Sequence, residues 1–328
     1  MDSILTILNA MAQEALRPQT AAVAIAVIGL NIHFGFTGLI NIGQAGFMLL
    51  GAYGFAISVT RGVPLGLAVL IGFAGAVVFA LLLGVPTLRL RGDYLAIVTI
   101  SAAEIIRYTG RLSLLTDFTG AAQGLKGKDY RDPFNSLSFF GSGSTSIGPF
   151  DYQNTGVSGG WVRAVAWALV VLCLLLVFLL VRSPWGRLLR GIREDEDAVR
   201  SLGKNVFAIK MQALVIGGVL GALGGMVYVL PSSVQPDALS RSLTFFAFTA
   251  LLLGGAATIF GPVLGSILFF SARIGIKVAT DAYVPNSILN SQQTEQFSFV
   301  VVGVALMILV IFRPQGILGN KRELQLNG

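Results

Sequence analysis

The chain has 328 residues, of which 54% are hydrophobic and only 12% charged, and its mean hydropathy is +0.77. A soluble protein of this length needs a charged surface of roughly a quarter of its residues, so the composition excludes an ordinary soluble domain and points to an integral membrane protein. The net charge of +7 is scattered between apolar runs without a continuous patch, which argues against nucleic acid as a partner, and the single cysteine excludes an internal disulfide.

The opening stretch MDSILTILNAMAQEAL lacks the basic start and cleavage site of a signal peptide and reads as a short amphipathic helix at the membrane interface. Apolar segments follow at about 21–36, 39–60, 64–86, 93–108, 162–182, 206–230, 244–258, 263–281 and 297–312. A helix needs ~20 residues to cross a hydrocarbon layer of ~30 Å. The pattern therefore predicts an all-α integral membrane protein with about nine crossings, within a range of 8–10. The whole chain, 1–328, reads as a single transmembrane domain.

Lysine and arginine set the orientation. The polar segments 87–92, 183–204 and 313–328 hold ten in 44 positions, whereas 110–160, 231–243 and 282–296 hold five in 79. The first set is expected in the cytoplasm, with the C-terminus inside and the N-terminus outside. Segment 110–160 then becomes an external loop with local structure, and 183–204 a cytoplasmic loop. Arg273 and Lys277 fit poorly, because they fall toward the outer end of their segment.

Four groups of residues stand out along this framework. Asn31, His33, Asn41 and Gln44 are polar side chains in an apolar region interrupted by Gly35, Gly38, Gly43 and Gly46. Such groups need partners in lipid, either as glue between helices or as the lining of a path formed by a broken helix. An amide can serve both ends of an amino acid, which makes Asn41 and Gln44 the preferred path candidates, with Asn31 beside them. Glu104 and Arg107 share a helical face three residues apart, as a boundary ion pair or as part of a path or subunit contact. Gly217, Gly221 and Gly225 repeat every fourth residue, a stripe suited to close helix packing. Cys173 and His33 read as packed interior residues.

The fourth group is RGIREDEDAVRSLGKN at 190–205, a dense mixed-charge island. Ser183-Pro184 can start a helix and Gly203 can end one, so 185–202 is expected as one amphipathic helix at the cytoplasmic surface. Spacing pairs Arg193 with Asp197 and Glu196 with Arg200. Fixing topology requires only basic residues, so the four consecutive acids from Glu194 to Asp197 favour a docking helix over a plain connector.

From Arg190 to Lys210 the sequence RGIREDEDAVRSLGKNVFAIK resembles the cytoplasmic coupling loop of the branched-chain amino acid (LivM-type) permease family of ATP-binding-cassette importers. GFTGLINIGQAGFMLLGAY (35–53), LRLRGDYLAIVTISAAEIIR (88–107), TGAAQGLKG (119–127), GGAATIFGPVLGS (254–266) and RPQGILG (313–319) are similar to other stretches of that family, in order. Asn41 stands where the family usually has serine and Ala256 where glycine is common. The resemblance implies a helical permease without catalytic residues or a metal site. It would pair with a second permease, identical or related, and take substrate from an external or periplasmic binding protein. Two cytoplasmic ATP-binding subunits would hold ATP and Mg and grip the coupling helix through Arg190, Arg193, Glu194, Asp195, Glu196 and Arg200. Expected substrates are branched-chain or related amino acids, with urea or short amides as the alternative, and the location is a bacterial or archaeal plasma membrane. The chain has no G-x-x-x-x-G-K-[ST]; GLKGKD (124–129) misses the hydroxyl, so ATP phosphates would be held by another chain. An ion-driven secondary transporter would need more titratable groups near the midplane. A membrane enzyme would need paired acids or a nucleophile with its base.

Overall fold

Hydrocarbon offers no hydrogen bonds, so each apolar segment satisfies its own backbone by coiling. The computed structural model describes residues 2–88, 92–140, 143–147, 150–154, 159–285 and 290–319. The elements in order are α1 (Asp2–Ala15), α2 (Pro18–Leu30) with a π-helical turn (Asn31–Phe36), α3 (Gln44–Thr60), α4 (Leu65–Thr87) and α5 (Gly92–Gly110). The loop that follows carries a single turn α6 (Thr116–Thr119), α7 (Gly127–Asn135) and a hairpin of β1 (Ser144–Ile147) and β2 (Phe150–Gln153). Then come α8 (Gly160–Arg182), α9 (Pro184–Glu194), α10 (Glu196–Ser201), α11 (Val206–Val229), α12 (Arg241–Gly254), α13 (Gly261–Tyr283) and α14 (Ser291–Phe312).

Each of the nine apolar segments corresponds to one helix. Six helices among the described residues are long and apolar enough to cross a membrane: Pro18–Phe36, Leu65–Thr87, Gly160–Arg182, Val206–Val229, Gly261–Tyr283 and Gln292–Leu309. The protein is a multi-pass membrane protein. Helices α3 and α12 are shorter, at 17 and 14 residues. Two boundaries differ from the apolar pattern. Helix α14 starts at Ser291, six residues before its apolar run, because Asn290 and Gln293 form a capping box there. Helix α12 stops at Gly254, since Gly255 and Ala257 take positive φ of 112° and 61° and turn the chain out of the helix.

Helix α11 forms the centre, packed on α2, α3 and α4. Its Gly217 faces the Gly29 carbonyl of α2, its Gly221 faces Gln44 and Phe47, and its Gly225 lies against the Met48 backbone of α3. Side chains of ordinary size at those positions would hold the helices apart. Helix α2 is enclosed along nearly its whole length, with Thr20 through Leu30 all buried. The outer faces of α4, α8 and α14 expose residues such as Leu82, Leu179 and Val300, as a lipid-bathed surface should.

Helix α1 lies along α13: the Ser271 hydroxyl donates to the Met11 carbonyl at 3.2 Å, and Met11 sulfur packs on Gly275. Its Ile4, Leu5 and Leu8 are exposed, in keeping with an amphipathic interfacial helix. Loop 110–160 is anchored over the C-terminal end of α11. Leu125 bridges to Val234, the Tyr130 hydroxyl sits 3.0 Å from both the Val229 and Ser232 carbonyls, and Arg131 Nε donates to Leu230. Burial raises the Tyr130 phenol above its ordinary pKa. Arg273 and Lys277 have a common partner in Glu295 of α14, at 3.4 and 3.7 Å, which accounts for two cations on that part of the helix. Of the basic residues used for orientation, Arg89, Arg91, Lys321 and Arg322 lie outside the described residues.

Candidate functional site

The π-helical turn at 31–36 and the turn at 37–43 interrupt the run between α2 and α3, and the polar side chains predicted to matter converge there. The Asn31 carboxamide accepts from the Ala257 amide at 2.9 Å and donates to the Thr258 carbonyl at 2.7 Å. It thereby ties α2 to the turn between α12 and α13. His33 Nε2 lies 3.1 Å from the Leu214 carbonyl of α11. Asn41 Nδ2 reaches His33 Nδ1 and Gln44 Oε1, and Asn41 Oδ1 accepts from the Gly43 amide. Gln44 Nε2 donates to the Ala26 carbonyl of α2 at 3.1 Å and to the Gly217 carbonyl of α11 at 3.3 Å. Asn41, Gln44 and His33 are all 0% exposed. The structure thus joins Asn31, Asn41 and Gln44 around one joint, with every amide hydrogen-bonded internally.

Sequence reading missed the residues that complete this joint. Thr99 of α5 accepts from the Ile42 amide at 3.1 Å, and Thr244 of α12 accepts from the Ala45 amide at 2.9 Å. Both amides lie where the chain re-enters helix, and such amides lack intrahelical partners. A threonine on an apolar helix gives no sign of which distant amide it serves. Gly38, at φ +75°, makes the sharp exit from the π turn.

The charged island is not one helix, as the sequence suggested, but two. Asp195 is extended, at φ −154° and ψ 103°, and its carboxylate accepts from the Asp197 and Ala198 amides at 2.9 and 3.0 Å. It is the N-cap of α10, and capping by an acid requires non-helical backbone at the cap. The break places Arg193 and Asp197, expected as a pair on one helix, on two different helices. Arg200 pairs with Asp197 at 2.7 Å and with Glu196 at 3.5 Å, the second as spacing predicted.

The six island residues divide into two directions. Arg190, Glu194, Asp195 and Arg200 are exposed, alongside Leu202. Arg193 and Glu196 are half-buried and turn inward. Arg193 Nη1 donates to the Gly35 carbonyl in the π turn at 2.6 Å, and Glu196 pairs with Lys210 of α11. Leu189, Ile192 and Val199 are buried beneath, fixing both short helices to the bundle.

Comparison with known proteins decides what kind of membrane protein carries these features. Residues 16–311 match the family model described as "Branched-chain amino acid transport system / permease component". The chain belongs to that permease family. The permease is 30% identical to the high-affinity branched-chain amino acid transport system permease protein LivM of Escherichia coli, over 90% of this chain and 67% of that one. It is 33% identical to LivM of Salmonella typhimurium with the same coverage. It is 26% identical to the probable LivM of Methanocaldococcus jannaschii, over 90% of each. A solved structure, PsaBC from Streptococcus pneumoniae in complex with Fab, covers 99% of the permease at 14% identity with a TM-score of 0.45, too loose for a helix-by-helix correspondence.

At the opposite end of the permease from α9, Glu104 and Arg107 form the expected ion pair, with Arg107 Nη2 2.6 Å from Glu104 Oε2. Their side chains are 18% and 12% exposed. Asp237, in the turn before α12, extends the pair into a network by accepting from Arg107 at 2.5 Å and Arg111 at 3.3 Å. The network ties α5 to the α11–α12 connection, and the same helix reaches the Asn41 joint through Thr99.

Proposed function

We propose that this chain is the membrane-spanning permease subunit of an ATP-binding-cassette importer in a bacterial or archaeal plasma membrane. Its cargo is a branched-chain or closely related amino acid. It hydrolyses no ATP itself; two cytoplasmic ATP-binding subunits supply that work. A second permease, identical or homologous, completes the membrane unit, and a solute-binding protein delivers the amino acid from outside.

The kinship over 90% of the chain supports the transport reading, and one observation supports the docking reading: the stretch from α9 to α10 presents Arg187, Arg190, Glu194, Asp195, Asp197 and Arg200 outward while an apolar underside holds it to the bundle. A mixed-charge face of this kind orients a partner through complementary charge. The docking face is Arg190, Glu194, Asp195 and Arg200. Arg193 turns toward the bundle and is not part of that face, and Glu196, bonded to both Lys210 and Arg200, joins the two sides.

Asn31, Asn41, Gln44 and Glu104 enter as the polar groups beside which a path opens. Their hydrogen bonds are internal in this conformation, so a path beside them requires exchanging those bonds for bonds to substrate or water.

The test uses the permease complex purified from its own host. Reversing charge at Arg190→Glu with Glu194→Arg should abolish co-purification of the ATP-binding subunits while membrane insertion stays normal. Uptake in vesicles carrying the wild-type complex should follow added ATP and discriminate leucine, isoleucine or valine from urea. Uptake by the lone chain under an ion gradient would instead identify a secondary transporter, and retained ATPase binding in the double variant would remove the docking face.

A further inference from the structure

The inward side of the island reaches into the bundle. Arg193 leaves α9 near its C-terminal end, runs its aliphatic stem over Gly38, and ends on the Gly35 carbonyl at 2.6 Å. The fit over Gly38 is close: a Cβ added there would stand 3.3 Å from Arg193 Cγ and 3.7 Å from Arg193 Cβ. Gly35 belongs to the π turn that carries Asn31 and His33. From that turn, Asn31 leads to the α12–α13 connection, and His33 and Asn41 lead to α11 and Gln44. A π turn is an irregular, marginally stable piece of helix, and carbonyls of a last turn accept outside donors readily.

A second feature bears on movement. A cavity of about 190 Å³ lies between the island and the bundle, lined by Thr37, Leu39, Thr87, Arg193, Glu196 and Lys210 among others. Side chains lining a cavity can tilt without displacing packed neighbours, whereas a filled interface moves only as a block.

We propose that Arg193 is the positioning residue that carries movement of α9 into the α2–α3 joint. The guanidinium acts as a strut on the π turn, and the joint at 31–44 is the element that shifts. This rests on the importer reading above, and it assigns to Arg193 a task different from docking. Glu196 with Lys210 provides the parallel link to α11.

The experiment measures the number of substrate molecules moved per ATP hydrolysed by the reconstituted complex. Arg193→Met keeps the stem over Gly38 and removes the donor. It should leave ATPase co-purification and ATP hydrolysis near wild type while transport per ATP falls roughly tenfold or more, the size set by one charge-assisted hydrogen bond. Arg193→Lys, which can still donate to the Gly35 carbonyl, should restore most of the ratio. A wild-type ratio in Arg193→Met would overturn the strut, and loss of ATPase binding in that variant would make Arg193 a docking residue instead. Wild-type complex provides a measurement independent of any variant. Amide hydrogen exchange over 35–43 should change on ATP addition together with 186–202, and a change confined to 186–202 would refute the proposal. Failure of the wild-type chain to bind any ATPase would defeat the importer reading; a coupled Arg193→Met complex would defeat only the strut.

Discussion

Asn41 Nδ2 lies 3.0 Å from His33 Nδ1, and that contact fixes the state of the only histidine in the chain. The other ring nitrogen faces the Leu214 carbonyl, which can only accept, so the proton sits on Nε2 and Nδ1 accepts from the amide. Asn41→Ala would leave His33 Nδ1, Gln44 Oε1 and the Gly43 amide short of a partner in a site closed to water. The expected cost is about 1–3 kcal/mol. Thermal unfolding of the purified complex in detergent should show a lowered midpoint and vesicle uptake should fall with it; an unmoved midpoint would mean that the network contributes nothing to holding α2, α3 and α11 together.

Two glycines give opposite expectations for the same substitution. A methyl at Gly217 would stand 2.5 Å from the Gly29 carbonyl and overlap His33 Nε2, so Gly217→Ala forces α2 and α11 apart. A methyl at Gly75 of α4 meets nothing within 4 Å. Gly217→Ala should therefore accumulate poorly in membranes, and Gly75→Ala should accumulate as wild type. Equal yields would show that the α2–α11 crossing is looser than described.

Asp195 can be tested as a cap separately from its charge. Asp195→Ala removes the acceptor for two amides and should cost α10 about 1 kcal/mol. Asp195→Ser restores an acceptor without charge. Weaker ATPase association in the alanine variant and recovery in the serine variant would place the cap's geometry first. Equal loss in both would place the carboxylate's charge first.

The ion network at the other end has unequal members. Asp237 is 55% exposed, and an exposed pair is worth about 0–1 kcal/mol. Removing Glu104 instead strips a 12% exposed Arg107 of its main partner, which is the costlier change. Unfolding midpoints should rank Glu104→Ala below Asp237→Ala, with only the second gap narrowing at high salt. The reverse order would make the Asp237 link the principal one.

The helices were legible because hydrocarbon forces apolar runs to coil, and each of the nine runs did. Gly217, Gly221 and Gly225 were legible as a packing stripe by spacing alone, and Glu104 with Arg107 as a pair. What sequence spacing could not supply were partners far along the chain: Asp237 for Arg107, Lys210 for Glu196, Thr244 for the Ala45 amide. The break at Asp195 was hidden for a different reason. Four acids in a row satisfy the charge pattern of a continuous helix, and only the amide geometry distinguishes an N-cap from a solvated side chain. The inward turn of Arg193 was likewise invisible, since its acceptor is a backbone carbonyl, which no residue type advertises.

Helix α2 is the first spanning helix in chain order among the described residues, and 89% of its apolar window lies inside the fold. Its neighbours α8, α11 and α13 are all synthesised later. Until those helices follow, Asn31 lacks the Thr258 carbonyl and the Ala257 amide, and His33 has Asn41 but not the Leu214 carbonyl. Slowing translation between α5 and α11 would prolong the interval in which α2 lacks these packing partners and quality-control proteases can recognise it.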